Sequence, residues 1–232
     1  MQSCQDQVKQ VIWIDGACKN NQDHRFRRAG CGIFYGPAHH MNLSVILPGL
    51  VQSNQRAELL AVLLSCLRDP RPLDIRSDSE YVCKGASSWK SWCREGWPGV
   101  HADLWNLFAC EMNSRATCVS VSWVKGHAKQ VDVQRGYTTQ EDKDGNDGAD
   151  ALAVAGANIH AVPSEVVEFA LERKGWAKSV HSMMVSVLKA RLAAEDIQHL
   201  EETDAADRGS DDDACNELLD DEIDRESVQS DA

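Results

Sequence analysis

Residues 11–21, VIWIDGACKNN, set a carboxylate at the end of an apolar run. Val11, Ile12, Trp13 and Ile14 read as a buried strand. Asp15 then stands where that strand surfaces. Asp-Gly is a tight-turn signal, so Asp15 has a ready structural explanation. Against it, Gly16 is followed by the polar loop KNNQDHRFRR rather than by a returning alternating strand.

Outward from this run, CGIFYG (31–36) and LSVILPG (43–49) read as two more strands, parted by turn residues. NQRAELLAVLLSCL (54–67) is a helix too apolar to be exposed, so it packs on a sheet. PLDIRSD (72–78) is a short strand and SEYVCKGASSW (79–89) a helix, followed by a Trp-rich stretch. DLWNLFACEMNS (103–114) is a helix, CVSVSWV (118–124) an alternating strand and DGADALAVAGANIH (147–160) a helix. The order implies an α/β domain with a mixed sheet, antiparallel at its start and parallel where helices intervene. Residues 163–202 read as one or two amphipathic helices, Pro163 and Ser164 opening them and Gly175 a break. From Thr203 the chain is acidic and without aromatics, the composition of a disordered tail. The domain plan is thus 8–160, a helical extension 161–202 and an acidic tail 203–232.

The formal net charge of −12 is not evenly spread. Residues 1–160 carry 17 Lys+Arg and 17 Asp+Glu, residues 161–232 carry 7 and 19. The low overall pI therefore does not exclude nucleic-acid binding by the first part. Nine cysteines, an odd number without a two-residue gap, point to reduced, mostly buried thiols rather than a zinc or disulfide framework. No run approaches the length of a membrane span, and the first ten residues resemble neither a signal nor a transit peptide, so an intracellular protein, cytoplasmic or nuclear, is expected.

Four acids each have a plain structural explanation. Asp15 suits a turn, Glu58 the first turn of a helix, Asp78 a helix N-cap (as does Ser79), and Asp150 the start of the last helix. Their joint placement argues otherwise. Two stand at the ends of neighbouring strands and two near the starts of helices over them, where open α/β sheets gather ligands. Converging carboxylates repel, and hard divalent ions with oxygen ligands fit such a set. A pair of ions bridged by one carboxylate hydrolyses phosphodiesters.

At this point the residues resemble type 1 ribonuclease H, in its eukaryotic branch. The matching motifs run in order: IDGACKNN, GPAHH…LPG, SNQRAEL, SDSEYV, WVKGHA and NDGADALA. The resemblance implies a ribonuclease H-like fold, a five-stranded mixed sheet of order 3-2-1-4-5 flanked by helices. It implies an endonuclease that cuts the RNA strand of RNA/DNA hybrids, using two Mg²⁺ ions with Mn²⁺ able to substitute, and leaves 5′-phosphate and 3′-hydroxyl ends. Asp15 falls on the ligand bridging both ions, Asp78 on one ion's shell, and Glu58 and Asp150 on the other's. His127 falls on the histidine of proton transfer and product release. Asn21, Asn54 and Gln55 fall on the residues that read the hybrid's minor groove, where 2′-hydroxyls are displayed. Trp89 and Trp92 fall on the DNA-strand channel, although a buried core pair explains them too, and Arg25, Arg27 and Arg28 are candidates for backbone contacts.

Several features depart from the family pattern. The segment between His127 and Asp150 is long, acidic and loop-like, which could loosen His127. The basic protrusion after the second helix is short. Ser53 stands at the threonine of a DNA-phosphate grip, whose asparagine is replaced by His101 and whose arginine by Leu50 or Val51, so a weaker grip is expected. An N-terminal hybrid-binding module is not expected before the domain, nor is processivity, and residues 161–232 match nothing in the family core. A monomer is expected, with the extension open to a protein partner. The competing readings are a non-catalytic binder of hybrids or double-stranded RNA, and a retroelement-derived ribonuclease H domain.

Overall fold

A computed structural model describes residues 8–97 and 99–227, the side chains of 201 and 203–227 excepted. The elements run β1 (Gln10–Lys19), β2 (Arg28–Phe34), β3 (Leu43–Ile46), α1 (Asn54–Arg68), β4 (Leu73–Ser77), α2 (Glu80–Glu95), α3 (Ala102–Ser114), β5 (Val119–Trp123), α4 (Gln130–Gln134), α5 (Gln140–Ile159) and α6 (Ser164–Ser227). Five strands form one sheet in the order β3-β2-β1-β4-β5. The β1–β2 and β2–β3 pairs are antiparallel, and the β1–β4 and β4–β5 pairs parallel. This is the mixed ribonuclease H-like sheet expected from the motif order.

The central strand is apolar without alternation because helices cover both its faces. Gly16 meets the backbone of α1, whereas Trp13 meets Gly145 of α5. Ile12, Ile14, Ile33, Leu59, Val62, Ile75, Trp105 and Phe108 are buried at 1% exposure or less. Ser53 caps α1 by accepting from the Arg56 N–H, and Ser79 caps α2 by accepting from Val82. Of the two candidates for the second cap, Ser79 takes it and Asp78 does not.

Several expectations need correction. Asp15 does not end its strand: β1 continues to Lys19 because Asp15–Lys19 pair with Gly32–Arg28 of β2. The segment after His127 is not a slack loop. Asp132 closes a capping box on α4, and α5 begins at Gln140 with Thr139 as its cap. Asp150 therefore lies well inside α5, not near its start. Nor are the thiols mostly buried: among described free cysteines only Cys31 and Cys66 are, and Cys118 is disulfide-bonded.

The chain divides into two units after Ser164. The second is carried by α6, which passes through Gly175 without a break, since an isolated glycine costs a helix only about 1 kcal/mol. From Thr203, where a disordered tail is expected, the backbone continues as α6 to Ser227, and residues 228–232 lie outside the described ones. No helix among the described residues is long and apolar enough to cross a membrane.

Candidate metal centre

The register of the sheet builds the site. Parallel pairing of β1 with β4 ends at Ile14 opposite Ser77, so the next residue on each chain is an aspartate, Asp15 and Asp78. Glu58 comes from α1. A Cβ on Gly16 would lie 2.6 Å from both the Asn54 carbonyl oxygen and the Glu58 nitrogen, so the bare glycine lets the first turn of α1 settle on β1. Ligand oxygens of Asp15, Glu58 and Asp78 all lie within 4.8 Å of one another. Asp150 stands outside this trio, but its charge acts on both Asp15 and Asp78.

The electrostatics of this cluster call for a cation. Burial, then Asp78, Asp150 and Glu58, push the Asp15 carboxyl up to about 8, although the Gly16 N–H, donating to Oδ1 at 2.6 Å, opposes the shift. Burial chiefly, and Asp78, push Glu58 up to about 7 against the Ser79 hydroxyl. Burial also raises Asp78, and the neighbouring His127 works against that rise. Oε2 of Glu58 is fully enclosed with no hydrogen-bond donor. An enclosed, unpartnered carboxylate oxygen among three converging acids suits a hard divalent cation, which supplies the missing positive charge.

His127 sits on the loop after β5, exposed and in the left-handed region at φ 47°. Gly126 lets this loop lie against the site, since a Cβ there would fall 2.1 Å from Oδ2 of Asp78. Asp132 then clamps the loop from both sides: Lys125 Nζ donates to Oδ1 at 2.6 Å and the Lys129 N–H to Oδ2 at 2.8 Å. The long insertion thus braces His127 instead of loosening it. Asp142, in the first turn of α5, ties the insertion to the sheet by accepting from Trp13 Nε1 at 3.2 Å and from Arg76 at 3.1 Å. Sequence reasoning missed Gly126, Asp132 and Asn146. Asn146 is buried, lies four residues before Asp150 on one helix face, and opposes the rise of the Asp78 carboxyl. That four-residue spacing was the available signal.

Residues assigned to substrate divide by environment. Asn21, Asn54 and Gln55 have exposed side chains. The Ser53 hydroxyl is engaged as a cap. Trp92 packs edge-on to Trp105 at 5.7 Å, and Trp89 is half-buried at the rim of the core. His101 is buried and shares a hydrogen bond with the Tyr81 hydroxyl at 3.1 Å, so it is not placed as a free replacement in a phosphate grip. Arg56, in the SNQRAEL motif, is ion-paired with Asp103 and pins α1 to α3.

Fold and site together define an α/β domain with a cluster of three carboxylates, fit to hold a cation, where two parallel strands separate. Comparison with known proteins narrows this. The family model for RNase H matches residues 7–158. Ribonuclease H of Schizosaccharomyces pombe is 34% identical over 163 residues, 67% of this chain and 55% of that protein. Ribonuclease H of Zymomonas mobilis is 33% identical over 144 residues, 57% and 86% of the two chains. The solution structure of the PFV RNase H domain is 26% identical with a TM-score of 0.52, covering 67% of this chain and 98% of that one. The chain belongs to the RNase H family. It spans about half the length of the fission-yeast protein and of mouse Ribonuclease H1, at 55% and 50%.

Proposed function

We propose that the chain is an endonuclease hydrolysing the RNA strand of RNA/DNA hybrids, leaving 5′-phosphate and 3′-hydroxyl ends. The observation that carries this reading is the enclosed Asp15–Glu58–Asp78 cluster with its orphaned oxygen, in a chain of this family. Asp15 would hold both of two Mg²⁺ ions, Asp78 one, and Glu58 with Asp150 the other; Mn²⁺ would substitute. Bound there, the ions supply an activated water and stabilise the leaving oxygen. His127 exchanges a proton at an imidazole nitrogen from its exposed perch beside Asp78. Asn21, Asn54 and Gln55 offer amides to minor-groove 2′-hydroxyls, and Trp89 with Trp92 shape one wall for the DNA strand. The exposed Phe169, Trp176 and Met183 of α6 support a protein-binding role for the second unit.

A labelled RNA/DNA hybrid with Mg²⁺, beside an Asp78→Asn variant, tests the reading. The parent cleaves and the variant binds without cleaving, its rate down on the order of 10³-fold, the scale of losing one preorganised charge partner. Binding without cleavage by the parent sinks the enzyme. His127→Ala is expected to lower kcat about 10²-fold with hybrid affinity kept. Because the site of the lost ring is exposed, added imidazole restores part of the rate. A variant with parental kcat would remove His127 from proton transfer.

A further inference from the structure

A cavity of about 510 Å³ opens between the β1–β2 connection, the turn after β3 and the C-terminal end of α5. His24, Arg25, Arg27, Arg28 and His160 line it. Gln52 fixes its floor with three bonds: Oε1 accepts from the Ala29 N–H at 2.7 Å, and Nε2 donates to the carbonyls of Leu47 at 2.9 Å and Gly49 at 2.7 Å. The arginines are held but not equally neutralised. Arg25 is forked onto Asp23 at 3.0 and 2.8 Å. Arg27 instead donates to the Asn21 carbonyl at 3.0 and 2.8 Å, and Arg28 to the Arg27 carbonyl at 2.7 Å. Carbonyl dipoles orient a guanidinium without cancelling its charge. Among the described residues, neither Arg27 nor Arg28 is ion-paired with a carboxylate. His160 donates through Nε2 to the Ala29 carbonyl at 3.0 Å.

Two oriented, uncompensated guanidinium groups beside two imidazoles recognise an oxyanion, and the guanidinium fork matches phosphate. Arg28 pairs with Lys19, four residues along β1 from Asp15. At a strand rise of about 3.3 Å this puts the Arg28 backbone roughly 13 Å from the Asp15 backbone, within the span of one bound duplex. We infer that this pocket takes a backbone phosphodiester of the bound nucleic acid away from the cleavage position. The inference rests on the hybrid-substrate reading above.

The test compares the parent with Arg27→Gln/Arg28→Gln and Arg27→Lys/Arg28→Lys double variants. Hybrid binding is measured in EDTA, so that cleavage plays no part, on a long duplex and on one too short to reach the pocket. The Gln pair is expected to weaken binding of the long hybrid about tenfold at low salt, and to flatten the salt dependence by about 0.7–0.9 per phosphate lost. It leaves the short hybrid unchanged and, in cleavage assays, raises KM without altering kcat. The Lys pair, keeping charge, retains most of the salt slope, which separates this effect from misfolding. Equal losses on both lengths, or no loss on either, overturn the inference. So does inorganic phosphate moving the His24 and His160 resonances while the two lengths behave alike, since the pocket would then serve a free anion. A parent that binds hybrid by this pattern yet never cleaves it refutes the nuclease and leaves the pocket standing.

Discussion

Asp15→Asn is expected to abolish hybrid cleavage, by on the order of 10³-fold or more, and at the same time to raise the melting temperature of the metal-free protein at pH 8. Both effects follow from one carboxyl group. Its folded-state pKa, about 8, lies above the ordinary 3.8, so folding favours the protonated form. The stability that this protonation contributes is fully present below about pH 4 and is lost as pH rises towards 8. Across that window each pH unit costs up to about 1.4 kcal/mol, because the unfolded chain ionises freely and the folded one does not. Glu58, pushed to about 7, acts in the same direction over a narrower range. Asparagine keeps an oxygen for the Gly16 N–H, which now donates to Oδ1, and carries no charge to bury. The variant should therefore out-melt the parent by a margin that grows from pH 4 to pH 8 in EDTA. Adding Mg²⁺ at pH 8 should close the margin from the parent's side, since a cation binds the ionised cluster and stabilises the state that holds it. Melting curves of both proteins at four pH values, with and without the ion, decide it. Identical pH dependence in EDTA would show that Asp15 is not strained by burial.

The site was legible in the sequence because its chemistry is carried by side chains that are poor core residues. Asp15, Glu58 and Asp78 are costly next to apolar runs, and the structure does bring them together. What misled was local. Asp-Gly suggested a turn, yet β2 pairing carries β1 past Gly16, and pairing across a sheet leaves no mark in an eleven-residue window. The polar segment QEDKDGN resembled a loop, yet Thr139 caps it and Asp142 ties it to Trp13 and Arg76. Those partners are 129 and 66 residues away, so tertiary contacts override the weak helix propensity of its Gly and Asp. Trp92 shows the same limit. The sequence left it between a DNA-strand channel and a core pair with Trp89, and only the fold shows its ring against Trp105. The packing of Gly126 against Asp78 and of Gly16 against α1 was invisible because a missing side chain has meaning only once something occupies its place.

Gly32→Ala is expected to lower the melting temperature by roughly 6–12 °C and cleavage by at least about tenfold, measured well below the melt. Gly32 pairs with Asp15 across the β1–β2 ladder, under α5. An added Cβ would lie 2.1 Å from the Ala149 carbonyl oxygen and 2.6 Å from the Ala153 nitrogen. Both are helix backbone and cannot turn aside as a long side chain would. The helix cannot simply lift, because Gly30 fits equally closely against Ala157 and Gly156, and Gly145 against Trp13. Overpacking of a rigid contact costs about 3 kcal/mol, which for a domain of this size gives the stated shift. The functional loss has a separate cause: Ala149 adjoins Asp150, so moving the helix moves the carboxylate that acts on Asp15 and Asp78. A change at Gly175, where no atom lies within 4 Å of the added Cβ, provides the contrast. Gly175→Ala should leave cleavage unchanged and strengthen α6 by about 1 kcal/mol through helix propensity alone. Thermal melts and single-turnover cleavage of both variants at low temperature separate crowding from glycine loss in general. A Gly32→Ala protein that melts and cleaves like the parent would mean that α5 is not seated on β2 as the structure has it.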